Sequence, residues 1–199
     1  MWPKPLLYKH RLGLLPLVKK LRICRGADFD PVGFSPRRLN LFLLPRFYAL
    51  NNVKELEIDH LDIPGFKPWV QLYFRCLLPT VRSLALREPR GSYRQILYFV
   101  GLFQHLEDLK LLFGPKSSIP EEQENDLTLT PPFAPPLRGQ LTMTFIRSVV
   151  FLKDMIDLLG GIQVRQLDLF YVDGMSLLLD ACAEALETLR FHPDDHHGE

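Results

Sequence analysis

Val53-Lys-Glu-Leu56-Glu-Ile58 decides how the chain is read. Leu56 and Ile58 stand two residues apart, and Glu55, Glu57 and Asp59 alternate with them. A side-chain period of two belongs to a strand with one buried and one wet face. The same order, apolar-x-x-Leu-x-apolar, occurs as Val18-Lys-Lys-Leu21-Arg-Ile23, Val81-Arg-Ser-Leu84-Ala-Leu86 and Leu106-Glu-Asp-Leu109-Lys-Leu111. It returns as Val164-Arg-Gln-Leu167-Asp-Leu169 and Leu186-Glu-Thr-Leu189-Arg-Phe191. With first residues at 18, 53, 81, 106, 164 and 186, the copies lie 35, 28, 25, 58 and 22 residues apart. The longest gap holds about two periods, and Leu141-Thr-Met143 lies within it as a degenerate seventh copy.

A period of about 25 residues around such a core is that of leucine-rich repeats. One unit cannot bury its apolar side alone, so units must stack, and stacking leaves an exposed strand face suited to binding. The sequence therefore predicts a single α/β domain over residues 1–199, a leucine-rich-repeat solenoid forming a horseshoe arc. About seven parallel strands would line its concave face and helices its convex face. Strands are expected near 18–24, 53–59, 81–87, 106–112, 139–145, 164–170 and 186–192. Helical returns are expected at 39–50, 67–78, 92–104, 146–159 and 175–185. The last of these is apolar on more than one side, as suits a helix pressed between two repeats. Leu78-Pro79-Thr80 before Val81, and Gly160-Gly161 before Val164, are helix stop signals.

Residues 114–136 break the period. They hold the acidic run Glu121–Asp126 and Pro131-Pro-Phe-Ala-Pro-Pro136, and read as an exposed loop replacing one return. The prolines suit either a short polyproline II ligand or a spacer on the convex side. The tail, 193–199, lies beyond the last apolar position and reads as flexible.

The net charge of +1 conceals an asymmetry. Residues 1–50 hold ten Lys/Arg and two Asp/Glu, and the remainder holds 14 and 21. A basic half can attract nucleic acid, but here the charges are dispersed among leucines and prolines, so a protein ranks above a nucleic acid as the expected partner. Cys24, Cys76 and Cys182 are odd in number and without metal-ligand spacing, which points to reduced thiols in the cytoplasm or nucleus. The basic, proline-broken start is not a signal peptide. The longest apolar run, Ile96–Phe103, is far short of the ~20 residues a membrane span needs.

The repeat cores and their returns resemble the leucine-rich-repeat region of F-box-like proteins, numerous in mushroom-forming fungi. Val164-Arg-Gln-Leu-Asp-Leu169, Leu177–Arg190 and His192-Pro-Asp194 are similar to the repeat that closes many such chains, and Pro136-Leu-Arg-Gly-Gln-Leu-Thr142 to a strand start after a proline-rich loop. The likeness covers roughly residues 15–195. It implies substrate recognition for a Skp1–cullin ubiquitin ligase. The F-box itself, about forty helical residues opening on Leu-Pro, is not visible: Leu15-Pro16 leads straight into the strand core at Val18. The expectation is thus the part that meets a substrate, with Skp1 and a cullin as indirect partners. The alternatives are a repeat-only scaffold, a truncated fragment, and a nucleic-acid binder working through the basic half.

By alternation the partner-binding face would present Lys20, Arg22, Glu55, Glu57, Asp59, Arg87, Asp108, Lys110, Gln166, Asp168, Phe170 and Arg190. Ser83, Thr142, Thr144, Thr188 and His192 would stand among them. Phe170 is expected to face out, as a candidate hot spot, and Tyr171 to face in. No nucleophile elbow, P-loop, His-Glu-x-x-His or Cys-x-x-Cys is present, so the expectation is a protein that is not an enzyme and takes no cofactor. The His and Asp cluster at 192–197 sits in the tail, where no structure would hold a metal. Glu57→Lys is expected to leave the fold intact.

Overall fold

The alternating cores form strands, and the strands form one sheet. The structure, a computed structural model, describes residues 16–23, 50–61, 78–115, 136–159 and 161–192. The expected returns at 39–50 and 67–78 lie almost wholly outside these residues, as do most of the 114–136 loop, the tail, Cys24 and Cys76. The elements run β1 (Lys20–Ile23), β2 (Glu55–Asp59), β3 (Ser83–Arg87), α1 (Tyr93–Gly101), β4 (Asp108–Leu112), β5 (Gln140–Ile146), α2 (Val149–Leu158), β6 (Gln166–Val172), α3 (Met175–Cys182) and β7 (Thr188–His192). The described residues thus make an α/β fold with a single seven-stranded sheet, all parallel and in sequential order from β1 to β7.

Register brings equivalent leucines into a row. Leu21, Leu56, Leu84, Leu109, Leu141, Leu167 and Leu189 are successive partners, and Ile23, Ile58, Leu86, Leu111, Met143, Leu169 and Phe191 form a second row. From β2 to β6 both rows are buried, in one continuous core with Ile96, Phe99, Phe103, Phe151, Met155 and Leu178. The described helices therefore cover the leucine face of the sheet. A backbone relay joins the coils just before the strands. Lys19 O accepts from the N–H groups of Lys54 and Glu55, Lys54 O from those of Arg82 and Ser83, and Arg82 O from those of Glu107 and Asp108. Gly139 O and Arg165 O play the same part for 165–166 and 187–188. At every junction but β4–β5 this shared acceptor keeps one strand start in step with the next.

Side-chain caps set two helix starts. Ser92 Oγ accepts from Gln95 N–H (3.3 Å) while Gln95 Oε1 accepts from Ser92 N–H (3.1 Å), a reciprocal capping box for α1. Ser148 Oγ accepts from Phe151 N–H (3.2 Å) at α2. Helix α3 starts without such a bond, after Gly174 at φ 72°. A Cβ there would lie 2.9 Å from Val149 Cγ2, so both conformation and space call for glycine. The helices are shorter than the expected returns, and Ile146 belongs to β5 rather than to α2. Tyr93 and Phe151 link α1 to α2 with ring centroids 5.3 Å apart. Cys182 is buried at the end of α3, its thiol donating to Leu178 O at 2.9 Å. Burial pushes that thiol above its ordinary value of 9.0, so it stays protonated and unreactive at neutral pH.

Two expectations need correction. The last repeat is open rather than packed: Leu189 and Phe191 are 45% and 43% exposed, and in α3 only Leu178 and Cys182 are buried. Tyr171 does not face the core. It has φ 57°, and Val172 is the buried residue in its place. The same left-handed turn recurs at His60, Glu88 and Phe145, each four residues beyond a buried strand leucine. Such a residue resets the alternation, so Met143 and Ile146 both point inward although they are three apart.

Candidate recognition face

The face of the sheet opposite the described helices carries the residues between the leucine rows. Its central row is Arg22, Glu57, Ala85, Lys110, Thr142, Asp168 and Arg190. One flanking row starts with Lys20, Glu55, Ser83 and Asp108 and closes with Gln140, Gln166 and Thr188. The other holds Asp59, Arg87, Leu112, Thr144, Phe170 and His192. All twelve residues expected from alternation thus occupy this face, but they are not equally available.

In the first half, opposite charges on neighbouring strands meet. Arg22 of β1 and Arg87 of β3 clasp the two carboxylates of β2 between them. Arg22 lies 3.6 Å from Glu57 Oε1 and 2.9 Å from Asp59 Oδ2. Arg87 bonds Glu57 and lies 3.7 Å from Asp59 Oδ1. Lys20 pairs with Glu55 at 3.1 Å. Glu57 and Asp59 keep only 14% and 13% of their side-chain surface, against about half for the arginines. At this clasp a partner meets guanidinium rather than carboxylate, while Glu55 beside Lys20 stays half exposed. At the strand ends His60 Nδ1 lies 3.2 Å from Glu88 Oε2, which joins two of the left-handed corners.

This lattice changes the expectation for Glu57→Lys. A lysine would stand between two arginines, losing two ion pairs and adding like-charge repulsion. The arginines are half exposed and the pairs correspondingly screened, so the expected loss is about 1–2 kcal/mol with the fold retained. A urea melt should show a lower midpoint and an unchanged slope.

The second half is built from amides, hydroxyls and rings. Asp168 is on the outer face yet only 5% exposed. Gln140 Nε2 donates to its Oδ2 at 2.6 Å and Gln166 Nε2 to both oxygens at 3.2 Å. Gln140 Nε2 also reaches Thr142 Oγ1 at 3.1 Å, and Thr144 Oγ1 donates to Phe113 O at 2.9 Å. Asp168 therefore organises its neighbours and offers little surface of its own. Arg190 and Lys110 form no ion pair among the described residues.

Beside this polar cluster lies an aromatic ledge. Phe170 stacks on His192, with centroids 4.6 Å apart and planes at 10°. Phe145 stacks on Tyr171, with centroids 4.7 Å apart and planes at 18°. Phe170, Tyr171 and Phe145 are half-buried and His192 is exposed, and Phe145 also packs against the core, so the open part of the ledge is Phe170, Tyr171 and His192. Phe170 was expected here, while Phe145 and Tyr171 were not, because strict alternation assigns Tyr171 to the core. The readable signal is the aromatic-aliphatic pair that repeats four residues beyond a strand leucine, Phe145-Ile146 after Leu141 and Tyr171-Val172 after Leu167.

Among the described residues no three His, Cys, Asp or Glu stand together as a group fit to hold a metal ion. Among the same residues no helix is long and apolar enough to cross a membrane. No protein-family model, no curated protein and no solved structure matches the chain.

Proposed function

We propose that this chain is a protein-recognition module, a leucine-rich-repeat solenoid curved into an arc with the outer strand face on its inside. The observation that carries the reading is the aromatic ledge on a strand face that none of the described helices covers. Flat stacked rings supply large apolar area at low entropic cost, and such residues dominate binding energy in protein interfaces. The ion lattice of the first half adds charge selectivity around it and contributes more to partner choice than to affinity. In keeping with the resemblance to F-box-like proteins, we propose that the bound protein is a substrate for ubiquitination, that Skp1 and a cullin are reached indirectly, and that binding takes place in the cytoplasm or nucleus.

Affinity purification of the tagged chain from its own cells, alongside a Phe170→Ala/Tyr171→Ala variant, tests this. Partners recovered with the wild type should fall about tenfold with the variant, the scale of a hot-spot loss, while the melting curve moves little. Equal recovery with both chains would sink the ledge as a binding site. Skp1 and a cullin among the ledge-dependent proteins would support the ligase role, and their absence would leave a repeat-only scaffold.

A further inference from the structure

In the middle of the strand face, from β3 to β6, cations stand beside rings. Each of these strands has a neighbour on both sides. In register, Arg87 of β3 lies beside Leu112 of β4, Leu112 beside Thr144 of β5, and Thr144 beside Phe170 of β6. Lys110 precedes Leu112 by two residues and shares its face. Three strand intervals of about 4.8 Å set Arg87 and Phe170 apart, with the half-buried Leu112 between them. The anions around this row are mostly withdrawn. Glu57 and Asp59 are largely covered, Asp168 is buried, Asp108 Oδ1 accepts from Gln140 N–H, and Glu88 faces His60. Arg87 stays half exposed, and Lys110 forms no ion pair among the described residues.

The rings narrow the choice of occupant. Both stacked pairs join neighbouring strands, with centroids 4.7 Å and 4.6 Å apart, about one strand spacing. One face of each ring is therefore turned along the sheet against its partner, and ring edges point outward. An aromatic edge carries the positive end of the ring quadrupole. Edges suit a carboxylate or an aliphatic group, whereas a cation or a nucleobase needs a free ring face, and the stacked faces are closed to both. Given the ledge as a protein-recognition surface, on which this rests, we propose that the β3–β6 part of the face binds an extended acidic peptide segment of a partner protein. The segment crosses the strands. Its carboxylates meet Arg87 and Lys110, and an apolar side chain lies on Leu112 and the edges of Phe170 and Tyr171. At about 3.3 Å per residue, its acidic and apolar positions stand about four residues apart.

Random dodecapeptides displayed on phage are panned against the full chain, and the leading peptide is then titrated by fluorescence anisotropy. Enriched sequences are expected to be net acidic, with an aliphatic or aromatic residue about four positions from a Glu or Asp. Affinity for the leading peptide should fall about tenfold with Lys110→Glu and about threefold with Lys110→Gln, and should weaken as salt is raised. Circular dichroism checks that both variants fold. Binding lost with Phe170→Ala/Tyr171→Ala but unchanged by Lys110→Glu would keep the ledge as a protein site and overturn the acidic occupant. Enrichment of neutral or basic peptides, no enrichment at all, or affinity indifferent to every variant overturns it as well. So does a uridine oligonucleotide that binds more tightly than the leading peptide.

Discussion

Leu109→Asp and Leu167→Asp are each expected to abolish the cooperative unfolding transition. Both leucines are fully buried, and each lies between leucines of the two adjacent strands, Leu84 and Leu141 for the first, Leu141 and Leu189 for the second. An aspartate there has no donor within the leucine row. Burying it charged is prohibitive, and burying it neutral without a hydrogen-bond partner costs several kcal/mol, on top of the lost leucine. A domain of this size holds about 5–15 kcal/mol in all. Leu109→Asp should do more damage, because it sits mid-sheet and a solenoid-like stack transmits stability only through neighbours. Leu167 adjoins the open last strand, where water can reach the new carboxyl. Circular dichroism melts check both variants. If Leu109→Asp melts like the wild type, the leucine rows do not form the core.

The contrast with Glu57→Lys shows how far the sequence could be read. Period-two alternation placed the leucine rows, the outward charges and the parallel order, because a parallel strand that buries one face must repeat its pattern to stack on the next. What alternation could not convey was the local reset at the strand ends. Four residues there, His60, Glu88, Phe145 and Tyr171, adopt a left-handed backbone. Glycine or asparagine would have announced such a turn, and a histidine does so weakly, but a glutamate and two aromatics do not. The pairing of charges was also hidden. Arg22 and Arg87 are each far in sequence from Glu57 and Asp59, and only register brings them to that pair. Likewise the pattern of the last repeat matches the others, but burial depends on a neighbour, and among the described strands β7 has one on a single side. Ser92 and Gln95 are the opposite case, since a serine followed three residues later by glutamine before an apolar run marks the helix start from sequence alone.

Gly139→Val should cost about 3 kcal/mol, a large penalty for one exchange outside any helix or strand. The reason lies in the one strand start that departs from the shared-acceptor relay. Elsewhere a carbonyl takes two N–H donors from the next coil. Here Glu107 O accepts only from Gly139 N–H, at 2.9 Å. The second donor, Gln140 N–H, turns to the Asp108 carboxylate, with Oδ1 at 2.8 Å. That arrangement brings the carboxylate onto Gly139 itself. A Cβ at 139 would overlap Asp108 Oδ1 and lie 2.9 Å from Glu107 O. The Asp108 side chain can rotate away, but its bond to Gln140 is then lost and a strand-start N–H is left without its partner. The backbone carbonyl cannot rotate, because it belongs to the β4–β5 junction. Valine adds a branched side chain at the same point, so β5 must shift along its register or lift from β4. Gly139→Ala should cost less than valine, and Gly139→Ala combined with Asp108→Ala should recover part of that loss by removing the clash with the carboxylate. Chemical denaturation of the three variants separates the terms. If Asp108→Ala gives no recovery, the carbonyl contact alone sets the cost.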